Sequence, residues 1–167
     1  SGSTQNFTTP QTYTVIFGAI TNVFTVTIPA PILFVSSGAP VQTFDTAEPP
    51  VAEWSTLSVA GGAGDVTTDG GLDTMMNTIA ASSISTAISA QAGSGTLGTA
   101  YWRADNATLG TQPTGNKATL LMAKLYNSSG STVSAVSLSY TFGLVSQTPA
   151  DDIKGHRLYW STTGLAG

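Results

Sequence analysis

Charge is what this chain lacks most. Lys and Arg together number 5 and Asp and Glu 9 in 167 residues, so 8% of the chain is charged, against roughly 25% in a typical soluble domain. Residues 1–44 carry no charge at all, and Asp45 is the first charged position. A cytosolic enzyme stays soluble through charge, so a hydroxyl-rich, weakly charged chain reads instead as a secreted or surface β-protein. The basic residues Arg103, Lys117, Lys124, Lys154 and Arg157 form no stripe, which leaves nucleic acid without an electrostatic footprint. Cysteine is absent. That excludes disulfide frameworks, thiolate metal sites and cysteine nucleophiles, and a secreted β-domain without cysteine suits a bacterial or archaeal source. No charged n-region and apolar h-region opens the chain, so it reads as a processed polypeptide.

Histidine is nearly absent as well. His156 is the sole histidine, so any triad must use it, and no G-x-S-x-G elbow accompanies it. Glycosidase chemistry needs two carboxylates facing across a cleft. Glu48, Glu53 and Asp105 are available, but nothing in their spacing brings two together. No catalytic constellation is legible, and the chain is expected not to be an enzyme.

What is present is alternation. From Tyr13 to Val35 the run is strongly apolar and long enough to span a bilayer. It also holds Pro29, Pro31, Gly18, Asn22 and several Thr, and it alternates as strands do, with Tyr13, Val15 and Phe17 and then Phe24, Val26 and Ile28. Buried strands are therefore expected and a membrane span is not. Beyond Phe44 the texture changes, and residues 1–41 and 42–167 read as an uncharged N-terminal arm and a β-domain. Leu72, Met75, Met76 and Ile79 have helical spacing. SSISTAISA (82–90), ATLLMAKLYN (118–127) and HRLYWST (156–162) read as strands. The clearest unit is the hairpin around Asn127-Ser-Ser-Gly130. Val136, Leu138, Tyr140 and Phe142 fall on one face of its second strand, Ser137, Ser139 and Thr141 on the other. Many short strands with turns every 8–12 residues predict an all-β antiparallel sandwich of jelly-roll type.

LGTQPTG (109–115), the strand ending at Asn127, NSSGSTV (127–133), VSLSYTF (136–142) and LYWSTTG (158–164) follow one another in order. With FDTAEPPVAEWST (44–56) upstream, this order resembles LamG-like jelly-roll domains. Such domains are found in secreted and surface proteins of Planctomycetes, Verrucomicrobia and bacteria with PEP-CTERM sorting systems. The resemblance covers residues 42–167 and implies a secreted, non-catalytic β-sandwich. In these domains STTG is followed by further strands, which this chain, ending at Gly167, does not supply. Residues 1–41 in turn have no counterpart. Either the N-terminal strands fill the gap, or a neighbouring copy lends a strand, with Tyr13, Val15, Phe17, Phe24, Val26 and Ile28 as the donor.

Three further readings concern ligands. Asp65, Asp69 and Asp73 lie in the Gly-rich GDVTTDGGLD, where carboxylates and carbonyls suit a structural calcium ion or, alternatively, a solvated turn capped by its own Asp residues. Tyr101 and Trp102 are adjacent, so one faces outward unless both faces of their strand are covered, and Tyr159 is out of phase with Leu158 and Trp160. With Arg103, Asn106 and Tyr126 these rings either bind polysaccharide or fill the core. Three N-x-[ST] sequons occur, at Asn6, Asn106 and Asn127. Two functions are thus expected: a self-assembling adhesive or filament protein that partners copies of itself, or a carbohydrate-binding module. A viral jelly-roll coat protein is a third.

Overall fold

The computed structural model describes residues 11–17, 20–26, 32–34, 38–62, 64–91, 98–145, 153 and 156–165. The chain is β-rich, with antiparallel and parallel strand pairs and one short α-helix among the described residues. No helix among them is long and apolar enough to cross a membrane.

The alternating N-terminal run forms β1 (Gln11–Phe17) and β2 (Ile20–Val26), an antiparallel pair with Tyr13 opposite Phe24 and Phe17 opposite Ile20. Ile28 of the expected donor lies outside the described residues. β3 (Ile32–Phe34) runs parallel to β9 (Leu125–Asn127). Ile32 is buried, and its N–H donates to the Lys124 carbonyl at 2.9 Å.

The centre is β4 (Trp54–Val59), paired antiparallel with β8 (Ala118–Ala123), Trp54 opposite Ala123 and Val59 opposite Ala118. The expected strand 118–127 is therefore broken at Lys124. The Lys124 N–H donates to the Glu53 carbonyl at 2.7 Å while its own carbonyl serves Ile32, so the chain changes partner there from β4 to β3. A second sheet orders β5 (Ser89–Ala90), β6 (Tyr101–Arg103) and β7 (Thr108–Gly110), parallel between the first two and antiparallel between the last two.

These sheets meet on two hydroxyls. Ser55 and Thr56 are fully buried, and successive strand residues point to opposite faces, so both faces of β4 are covered there. The Ser55 hydroxyl donates to the Ile84 carbonyl at 2.5 Å. The Thr56 hydroxyl donates to the Leu120 carbonyl of β8 at 2.7 Å and accepts the Ala100 N–H, next to β6, at 2.8 Å. Thr56 and Thr86 exchange backbone hydrogen bonds of 3.0 and 3.2 Å. Ile84, Ile88, Ala100 and Tyr101 supply buried apolar surface around this knot.

The knot also accounts for SSISTAISA, which is not one strand. It contains a 3-10 turn at Ala81–Ser83, a single bridge at Thr86, and β5. Its two buried isoleucines, Ile84 and Ile88, are four apart, the spacing of one face of a pleat, so alternation alone could not reveal the turn and the break between them. Residues 43–53 are likewise pinned without being a strand. Phe44 sits at φ 54 with its ring edge-to-face on Trp54 at 5.1 Å. Its carbonyl accepts the Trp102 indole N–H at 2.7 Å, and Glu48 accepts the Ala90 N–H at 2.8 Å.

Replacing Thr56 with Val keeps the shape but strips two buried backbone groups of a partner. Thr56→Val is expected to lower unfolding free energy by about 3 kcal/mol, and Thr56→Ser by less than about 1 kcal/mol, in urea titrations. Equal losses for the two would show that the hydroxyl is not the tie.

Candidate assembly surface

The helix α1 (Asp69–Met76) begins slightly before the predicted helical spacing because Thr68 caps it, its hydroxyl accepting the Gly71 N–H at 3.1 Å. Asp69 and Asp73 stand one turn apart on the same side. Four helical residues rise about 6 Å, and two extended residues about 6.6 Å, so an extended strand can match that spacing at alternate positions. Residues 156–162, expected as a strand, form none, yet Arg157 and Tyr159 match that spacing. Arg157 pairs with Asp69, and the Tyr159 hydroxyl donates to Asp73 at 2.6 Å. The Ala81 N–H donates to the Gly164 carbonyl at 2.8 Å just beyond.

One phase of this segment is thus tied to the helix, and the other is left open. Leu158 is exposed, and Trp160 is 87% exposed. His156 turns toward the preceding segment, with its ring 3.9 Å from that of Phe142 and its Nε2 3.1 Å from the Tyr140 hydroxyl. The Asn127 turn precedes that segment. The Asn127 Oδ1 accepts from the Ser129 N–H at 3.0 Å and from its hydroxyl at 2.6 Å.

After the turn the expected second strand of the hairpin makes no ladder with any described residue. Residues 131–145 are all exposed. Val136, Leu138, Tyr140, Phe142 and Leu144, which alternate in sequence, are 53–60% exposed. An uncharged, Pro-free run with a continuous row of large apolar side chains is a template for pairing with another chain. Sequence alternation indicated a dry face here. Among the described residues His156 alone meets its rings, at Tyr140 and Phe142, and all five side chains stay exposed.

The ligand candidates fall in several places. Asp65 accepts the Gly62 N–H at 2.8 Å and lies 3.9 Å from the Lys117 ammonium, while Asp69 and Asp73 serve Arg157 and Tyr159. The three carboxylates are therefore engaged separately, and among the described residues no group of three or more His, Cys, Asp or Glu is placed to hold a metal ion. Tyr101 is buried, and Trp102 is half-buried on the other face of β6 with its N–H held by Phe44. Arg103 grips Asp105 through Nε at 3.0 Å and a second nitrogen at 2.5 Å. That hydrogen-bonded pairing raises the guanidinium pKa and lowers the carboxyl pKa. Tyr126 is exposed. No ring contact or hydrogen bond joins Tyr126 or Tyr159 to the Tyr101–Asn106 group among the described residues. Sequence reasoning missed the pairing of Arg157 with Asp69. The signal was there in the i, i+4 carboxylates and the i, i+2 Arg and Tyr.

The chain was compared with protein-family models, curated proteins and solved structures, and none matches.

Partial burial, and secondarily the bond to Asp73, push the Tyr159 phenol up from 10.0 to about 12. The unfolded chain loses that proton near pH 10, the folded one near pH 12. The contact thus contributes fully below pH 10 and is lost as pH rises toward 12. The stability difference between the parent and Tyr159→Phe is expected to shrink over that window in pH-dependent unfolding. A difference that stays constant from neutral pH through this window would rule the contact out.

Proposed function

We propose that this chain is a non-catalytic, extracellular structural protein that self-assembles, in filaments or closed oligomers, by β-strand pairing between copies. In this reading a jelly-roll-like sandwich of the LamG-like kind is incomplete within one copy. The apolar row at residues 136–144 is covered by an uncharged strand from the N-terminal arm of a neighbour. The single observation that carries it is the exposure of Val136, Leu138, Tyr140, Phe142 and Leu144 on a stretch with no ladder among the described residues.

Physical chemistry supports the match between the two surfaces. Strand addition supplies backbone hydrogen bonds and buries alternate side chains. The acceptor row 131–145 and the donor 13–28 are both free of charge, so pairing them desolvates no ion. The candidate strands Tyr13, Val15, Phe17 and Phe24, Val26 are already extended in β1 and β2, and these two strands pair with each other. The arm thus presents a preformed edge. The carbohydrate reading gains nothing from the placement of its residues, since Tyr101 is buried and the polar groups of Trp102 and Tyr159 are engaged.

Because Leu138 and Phe142 are exposed, charging them costs the single copy little, within about 0.5 kcal/mol each, but places ions in the seam. The parent is expected to sediment as a large species and to show regular particles or filaments in negative-stain microscopy. Leu138→Asp/Phe142→Asp is expected to sediment at 17.0 kDa with an unchanged urea midpoint. A parent that sediments as a monomer, or a double variant that assembles equally well, would reject the proposal. Removal of residues 1–35 is expected to abolish assembly, and an added Tyr13–Ile28 peptide to bind the seam.

A further inference from the structure

Neither the assembly reading nor the fold makes use of the sequons. An asparagine amide nitrogen is a poor nucleophile, so a glycan-acceptor asparagine must be exposed, with that nitrogen free and the hydroxyl two residues on held beside it. In an extended strand the side chains at i and i+2 stand about 6.6 Å apart. A sequon in a strand therefore does not bring its two groups together. A turn does.

The β6–β7 hairpin makes such a turn at Asp105-Asn106-Ala107-Thr108. Arg103 is paired with Thr108 across the ladder, and Arg103 also grips Asp105 at 2.5 Å, which fixes both ends of the loop. Ala107, the middle residue of the sequon, takes φ 52, a left-handed conformation that costs an ordinary residue about 1 kcal/mol and is held by the flanking ladder. The result is that the Thr108 hydroxyl donates to the Asn106 Oδ1 at 2.6 Å. Asn106 and Thr108 are both exposed, and the Asn106 Nδ2 has no partner among the described residues.

Asn127 has the same hydroxyl contact, from Ser129 at 2.6 Å, but its nitrogen is occupied. The Asn127 Nδ2 donates to the Ser131 carbonyl at 2.8 Å. A net hydrogen bond of that kind holds the closed form about fivefold over the open one. Asn6 lies outside the described residues.

We propose that Asn106 is an acceptor for N-linked glycosylation, and that the Ser131 bond disfavours Asn127. The co-reactant is an oligosaccharide carried on a polyprenyl pyrophosphate, delivered by an oligosaccharide-transferring enzyme. The Asn106 Nδ2 forms a bond to the anomeric carbon and releases one proton to a base. The anomeric C–O bond breaks, and the pyrophosphate leaves with its electron pair. No oxidant or reductant is needed.

The test is direct because trypsin cuts after Arg103, Lys117, Lys124 and Lys154 and so separates the two sites onto peptides 104–117 and 125–154. In the protein isolated from the cells that make it, mass spectrometry is expected to find a sugar-containing mass on peptide 104–117. Its occupancy should exceed that of peptide 125–154 at least about fivefold. Asn106→Gln and Thr108→Ala are expected to abolish it, and Thr108→Ser to retain it. An unmodified peptide 104–117, or sugar confined to Asn127, would overturn the proposal.

Discussion

The junction of β4, β8 and β6 depends on one buried hydroxyl. Thr56 joins β4 to β8 through the Leu120 carbonyl and to the start of β6 through the Ala100 N–H. Its backbone is bridged to Thr86. Few described apolar residues are buried, namely Ile32, Ile84, Ile88, Ala100 and Tyr101. With so little apolar area to set register, polar ties have that task. Buried polar groups that are fully satisfied specify one arrangement, because every alternative leaves some of them unpaired. Asn116 adds polar ties in the loop before β8, its Nδ2 donating to the Gly98 carbonyl at 3.1 Å and the Ala118 carbonyl at 2.7 Å while its buried Oδ1 has no partner among the described residues.

The sparseness of that core and the openness of residues 131–145 are linked. Among the described residues, large apolar side chains lie exposed in the alternating run ending in Leu144 and at Leu158 and Trp160. The C-terminal segment is fastened through Arg157, Tyr159 and Gly164 to α1 and the turn after it. That fastening turns Leu158 and Trp160 outward. A surface arranged this way is held open by the rest of the chain, and in the assembly reading it is a receptor for a strand.

Several parts of this were legible in the sequence. The alternation of Tyr13, Val15, Phe17 and of Phe24, Val26 gave β1 and β2, and the spacing of Leu72, Met75 and Met76 gave α1 to within a turn. The phase argument set Tyr159 apart from Leu158 and Trp160 as the outward ring, whereas in the fold Tyr159 is tied to Asp73 and Leu158 and Trp160 are the more exposed. Other parts were hidden for physical reasons. Ser55 and Thr56 look like solvent-facing positions, since composition does not reveal that their two hydroxyls have three backbone partners between them. The break at Lys124 is a change of partner, which no local pattern encodes. The row from Val136 to Phe142 was legible as a dry face, but alternation states only what a face is made of and not what covers it. At Asp65, Asp69 and Asp73 the loop composition suggested calcium, whereas Lys117, Arg157 and Tyr159, far along the chain, meet those carboxylates in the fold.

In the assembly reading, residues 131–145 are open in one copy and paired between copies. Hydrogen exchange followed by mass spectrometry, on dilute monomer and on assembled protein, tests it most directly. The account requires amides of 131–145 to exchange at near-unprotected rates in the monomer and to slow by orders of magnitude on assembly, while those of β4 and β8 are slow in both. Protection of 131–145 in the monomer, or its absence from the assembled protein, would contradict it.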